Sequence, residues 1–229
     1  MKNIESIKQS VRSELSGYSV YFSPDELPSS IELPESWSGF GLQPSSSVWI
    51  PDEWKNFSSV LPTVYKWLNK CVIGTALALG DKSYLVYIYL ETDELGLYLG
   101  GEPVAQGAGT TNLSVIPLSV GQFYTRLHDG FCFYIDWSMG PSRLQDFVNI
   151  DDLADEEISV IPGLVGFFSN GAGDYITVTS LLSYAKFYIW WHEQQETPEA
   201  NVDVWAVMDA WMGIFLENSD SNETIICLN

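Results

Sequence analysis

Ile4, Ile7, Val11 and Leu15 recur at intervals of three or four with Gly17 beyond them, which predicts an amphipathic helix over about 3–16. From Ser23 to Pro51 the pattern breaks: five prolines among many Ser and Gly predict an extended connection, and Trp37, Phe40 and Trp49 predict that it packs on the domain. Leu61-Pro62 then opens a second helix, with Val64, Tyr65 and Leu68 on one side and an end near Lys70. Val72–Leu79, Ser83–Glu91 and Leu95–Leu99 read as strands of an antiparallel meander, joined by Gly80-Asp81-Lys82 and Thr92-Asp93-Glu94.

After a Gly-rich loop over Gly100–Thr111, Ile116-Pro117 starts a third helix carrying Val120, Phe123, Tyr124 and Leu127, which stops at His128-Asp129-Gly130. Phe131–Trp137, Leu164–Ser169, Tyr175–Thr179 and Lys186–His192 read as strands, and Asn170-Gly171-Ala172-Gly173-Asp174 as a turn between two of them. The apolar stripe Val204, Trp205, Met208, Trp211, Met212, Phe215 and Leu216 marks a closing helix, with Asn201 or Asp203 as its N-cap. The fold class expected is α+β: a mostly antiparallel sheet flanked by a few helices, with residues 1–60 as an N-terminal extension packed on a domain over 61–229.

Composition changes this picture in one respect. Apolar residues make up 46 % and aromatics 14 % of the 229, so most of the chain can build a core. The charge, however, is lopsided: 30 Asp and Glu face 10 Lys and Arg, and residues 150–229 hold 14 acids against Lys186 alone. A net charge of −20 disfavours nucleic-acid backbones and anionic membranes and makes a basic protein the natural complement. Cys71, Cys132 and Cys227 form neither a disulfide framework nor a zinc knuckle, which fits a reducing compartment. The N-terminus has no apolar run of signal-peptide length, and a soluble cytoplasmic protein is expected.

Catalytic motifs do not stand out. Cys132 lies four residues after His128, but the first falls in an aromatic strand and the second at a helix end, so Cys132 reads as a core thiol. His192-Glu193 lacks the second histidine of a zinc-protease motif, and no metal or cofactor is expected. His192 reads as a strand-end residue in solvent or hydrogen-bonded to a loop. The Gly100–Thr110 stretch has no Gly-Lys-Ser/Thr ending and carries Glu102 where a phosphate would be repelled. Gly171-Ala172-Gly173 leads into a strand rather than a helix, which removes a dinucleotide-binding reading. Among so many acids an acid/base hydrolase stays open on composition alone.

What rises above background is five acids in the seven residues 151–157. One reading is a solvated surface turn. The other joins Asp151, Asp152, Asp155, Glu156 and Glu157 to Asp174 in the next turn and Glu193 at a strand end, as a negative patch that steers a Lys/Arg-rich protein.

Ile116-Pro117 with Phe123-Tyr124 and His128-Asp129-Gly130, the hairpin Phe167–Tyr175 around Asn170-Gly171, and Phe187–Glu193 followed by a helix over 203–217 are together similar to the SUKH superfamily, a fold shared by many bacterial toxin-immunity proteins. The likeness covers about 116–217; Leu61-Pro62 to Leu68 offers a second copy of the helix motif, and His128-Asp129 stands where an Asn-type turn is usual. The resemblance implies a protein that catalyses nothing and occludes a cognate protein toxin of basic surface, a nuclease among the possibilities. An aromatic anchor inside the acidic rim would supply most of the affinity. Trp137, Trp190 and Trp191 are the candidates, and Trp191 joins the acids in the partner-binding set. The alternative is an adaptor that binds a basic segment of a cellular protein.

Overall fold

A computed structural model describes residues 3–42, 48–105, 111–155, 161–179 and 185–223. The chain is α+β and separates into two units, residues 1–102 with 213–229 and residues 103–212.

In the first unit Asn3 accepts the Ser6 N–H at 2.8 Å and so caps helix α1, Ile4–Glu14. Ile7, Val11 and Leu15 are buried as their spacing requires. β1 (Ser19–Tyr21), β2 (Gly74–Leu79), β3 (Ser83–Glu91) and β4 (Glu94–Gly101) pair antiparallel in that order. Register is set by pairs such as Leu77 with Leu85 and Tyr87 with Tyr98. The β3–β4 connection tightens to Thr92-Asp93, both in the left-handed region (φ 50° and 65°), which turns Glu94 into the first residue of β4.

Helix α2 (Pro62–Lys70) begins at its proline and buries Val64, Trp67 and Leu68. Trp67 meets the rings of Tyr89 and Tyr98 edge-on. The connection expected to be extended over Ser23–Pro51 instead holds short 3-10 turns at Pro24–Glu26 and Glu35–Trp37, and a third, Asp52–Phe57, follows it. Proline at the start of a turn presets φ, and burial of Trp37, Phe40 and Trp54 fixes the rest. The buried indole Nε1–H of Trp54 donates to Tyr87 Oη at 2.9 Å. At the far end of the chain, Asn222 Nδ2 donates to the carbonyls of Asn69 and Val72.

The second unit holds α3 (Leu118–Arg126), β5 (Phe131–Phe133), β6 (Gly140–Pro141), β7 (Val148–Asn149), β8 (Leu164–Ser169), β9 (Tyr175–Thr179), β10 (Phe187–Trp190) and β11 (Glu199–Ala200). Its antiparallel sheet runs β11-β10-β9-β8-β6, with β7 also pairing with β8. A register shift between Gly166 and Phe168 bends β8. The strand expected over Phe131–Trp137 stops at Phe133, because Trp137 and Met139 take φ of 55° and turn the chain back. β6, β7 and β11 have two residues each and leave no period to read. The last helix, α4, spans Val204–Leu216, and the division between units at 212/213 falls inside it.

Candidate functional site

The β8–β9 turn is organised by two of its own side chains. Gly171 and Gly173 supply φ of +77° and +99°. Asn170 Oδ1 accepts the N–H groups of Ala172 and Asp174 at 2.9 and 3.1 Å, while Asn170 Nδ2 donates to Asp174 Oδ2 at 2.8 Å. Asp174 Oδ1 then accepts from His192, at the end of β10, both the backbone N–H at 3.0 Å and the ring Nδ1 at 2.7 Å. Burial pushes the Asp174 carboxyl up, but those hydrogen bonds outweigh it and hold the group below the ordinary carboxylate range. Facing an ionised carboxylate, Nδ1 carries the proton.

Asp174 therefore does not belong to an exposed negative patch: it is 8 % exposed and its oxygens are taken by Asn170 and His192. The His192 side chain, at 44 %, keeps one face in solvent. An imidazole oriented by a buried aspartate is the pairing with which hydrolases raise the basicity of the other ring nitrogen.

One of the remaining acids, Asp155, is tied to the same end of β10. Ile150 belongs to a buried cluster with Leu164, Tyr188 and Trp190, and Ala154 packs against it, so the segment between them is pinned from beneath. That leaves Asp151, Asp152 and Asp155 exposed. Gln195 is the link that sequence reading missed. Its Oε1 accepts the Asp155 N–H at 2.9 Å, and its Nε2 donates to Asp155 Oδ2 at 3.2 Å and to the His192 carbonyl at 3.1 Å. The clasp draws the 151–155 segment against the turn that carries exposed Glu193. Glu156 and Glu157 lie outside the described residues.

Trp191 is half-buried, its ring 6.0 Å from that of Trp211, which in turn meets Phe168 at 5.7 Å. Trp190 is 2 % exposed and part of the core cluster, so it presents no surface. Trp137 is 38 % exposed.

The other chemical candidates are internal. His128 is buried and stacks on Phe131 at 5.8 Å. Asp129 accepts Leu144 N–H at 2.9 Å and pairs with Arg143 at 3.3 Å, with both side chains under 15 % exposed. The Cys132 thiol donates to Pro141 O at 3.1 Å, and burial pushes it far up, which disfavours a nucleophilic thiolate. Among the described residues no group of three or more His, Cys, Asp or Glu has a metal-holding arrangement, and no helix is long and apolar enough to cross a membrane.

No protein-family model, curated protein or solved structure matches this chain.

Proposed function

We propose that this chain binds and neutralises a cognate protein toxin of basic surface by covering it. The observation that carries the reading is the Gln195 clasp. It ties Asp155 to the His192 carbonyl, next in the chain to exposed Glu193, and so fixes one end of the exposed acidic segment Asp151, Asp152 and Asp155 against the turn after β10. An acidic rim of this kind steers encounter: individual exposed pairs are worth only about 0–1 kcal/mol, yet together they raise the association rate and set its salt dependence. The net charge of −13 over residues 150–229 and the SUKH-like order of elements support the same reading.

The test is co-expression with the product of the neighbouring reading frame. Protection of the host and a co-purifying complex are expected; absence of both removes the proposal. Within such a complex, reversing Asp151, Asp152, Asp155 and Glu193 to Lys is expected to slow association about tenfold or more at low salt and to flatten its salt dependence. Unchanged kinetics would return these acids to a solubility role.

A second reading, an acid/base hydrolase, draws on the Asp174–His192 pair. Hydrolysis of a chromogenic ester or phosphoester that disappears in His192→Ala would favour it over occlusion.

A further inference from the structure

Ile135 is 73 % and Trp137 38 % exposed, both in the connection between β5 and β6. Exposed apolar residues are ordinary when they stand singly on a regular element. These two stand on a backbone held in an unfavourable shape. Phe133 N–H donates to Ser138 O at 2.9 Å, Trp137 N–H donates to Phe133 O at 3.0 Å, and the two ends pair as a bridge. Asp136 Oδ1 accepts the Ser138 N–H at 3.2 Å and its hydroxyl at 2.6 Å, so the tip is closed from inside. Trp137 and Met139 both sit at φ 55°, in the left-handed region that glycine enters freely and a bulky side chain does not. The tip thus keeps a tryptophan on a backbone that favours glycine, its ring meeting Tyr134 edge-on at 5.8 Å and the residue partly open to solvent.

The tip also has a neighbour. A methyl group on Gly171 would lie 2.9 Å from Ser138 Oγ and 3.4 Å from Asp136 Oδ2, so the tip lies against the Asn170–Asp174 turn. On Gly173 it would lie 3.2 Å from the His192 ring, and His192 leads through Gln195 to Asp155. A chain of contacts within one unit therefore links the apolar tip to the acidic rim.

We infer that Ile135 and Trp137 are the anchor of a protein-docking surface that seats an amphipathic, Lys- and Arg-rich segment of a protein partner against its apolar side chains. The charge of the unit selects that occupant. Residues 103–212 carry 14 Asp and Glu against Arg126, Arg143 and Lys186, and Arg143 is spent on Asp129. Against that field an anionic bilayer or a nucleic acid is repelled, and a second copy of this chain brings the same sign. A tip fixed by its own hydrogen bonds loses little freedom on binding, which is how a small aromatic anchor comes to dominate an interface. The inference rests on the binding reading proposed above but not on the partner being a toxin.

The experiment uses the full chain with Trp137→Gly, Ile135→Ser and the four-acid reversal as variants. Trp137→Gly suits the left-handed backbone but gives up the ring contact with Tyr134, whereas Ile135→Ser leaves both in place and keeps the test independent of any loss of local order. The probes are a ten-residue peptide alternating Lys and Leu, its Glu/Leu twin, phosphatidylglycerol vesicles and the product of the neighbouring reading frame. Expected at low salt is a saturable shift of the Trp137 indole N–H signal with the Lys/Leu peptide alone, which Ile135→Ser weakens; with the neighbouring product, each tip variant is expected to dissociate at least about 30-fold faster. No saturable shift from the Lys/Leu peptide, a shift that Ile135→Ser leaves untouched, or an equal shift from the vesicles or the Glu/Leu twin overturns the anchor. A peptide response without any complex with the neighbouring product removes the toxin reading and leaves the anchor standing. A complex whose dissociation ignores the tip variants does the reverse.

Discussion

Replacing Asp174 by Ala removes the acceptor on which three donors converge: the His192 N–H, the His192 ring and the Asn170 amide. The first and third lie in partly buried positions and lose their partners, at about 1 kcal/mol each. The ring is half in solvent, so water replaces most of its bond and the loss there is about 0.5 kcal/mol. The sum is about 2–3 kcal/mol, localised to the turn and to the pairing of β9 with β10. Because the chain has two units, a single global transition is a poor reporter. Amide hydrogen exchange at Tyr175–Thr179 and Phe187–Trp190 reads this sheet by itself, and an acceleration of about 30- to 150-fold is expected at neutral pH. Asp174→Asn keeps one oxygen for the His192 N–H and is expected to lie between wild type and Ala.

The pH dependence has a fixed sign. The carboxyl of Asp174 titrates lower in the folded chain than in the unfolded one, so its contribution is complete above the unfolded value of about 3.9 and is lost as pH falls through the folded value. The gap between wild type and Asp174→Asn, read as amide exchange of the same two strands corrected for intrinsic rate at each pH, is expected to close below about pH 4. Exchange within twofold of wild type in Asp174→Ala, or a gap that widens in acid, would refute the account of this carboxylate as the organiser of the turn.

Two further substitutions probe the interior of the second unit. Arg143→Ala strips the largely buried Asp129 carboxylate of its cation and is expected to destabilise the second unit by about 3–5 kcal/mol, whereas replacing both partners with apolar residues of similar volume is expected to restore most of the loss; amide exchange of β8 and β9 in the single and double variants checks this. Ile150→Ala opens a cavity beneath the acidic segment and is expected to cost about 2–5 kcal/mol. Its signature is faster exchange of the Leu153 and Ala154 amides, which donate to the Ile150 carbonyl, and a steering effect of the rim that falls with it.

Much of the fold is legible because periodicity and turn chemistry agree. The stripe from Val204 to Leu216 becomes α4, and the Asn-Gly turn after Ser169 becomes the β8–β9 connection. The failures share a cause: local pattern does not say which way a turn residue faces. Asp174 looks like any surface acid until the chain brings His192, eighteen residues on, against it. Trp137 extends an aromatic alternation that the backbone breaks at that residue. Gln195 carries no signal at all, since its role arises from a contact forty residues away in sequence. The acidic segment itself was visible as charge, whereas its support by Ile150 and Ala154 depends on the partners of β8 and β10.

The first unit is sewn from both ends of the chain: Asn222 satisfies the carbonyls of Asn69 and Val72, and Ser219 bridges Glu91. During synthesis the ribosome releases residues 103–212 in full before the segment that completes the unit begun ahead of them. The strands β1 to β4 of the earlier body are all made by Gly101, while its bridge from Glu91 to Ser219 and its Asn222 bonds wait for the last residues. A premature stop anywhere before Gly213 strands that earlier body without its final stitch, and a holdase chaperone would find it there.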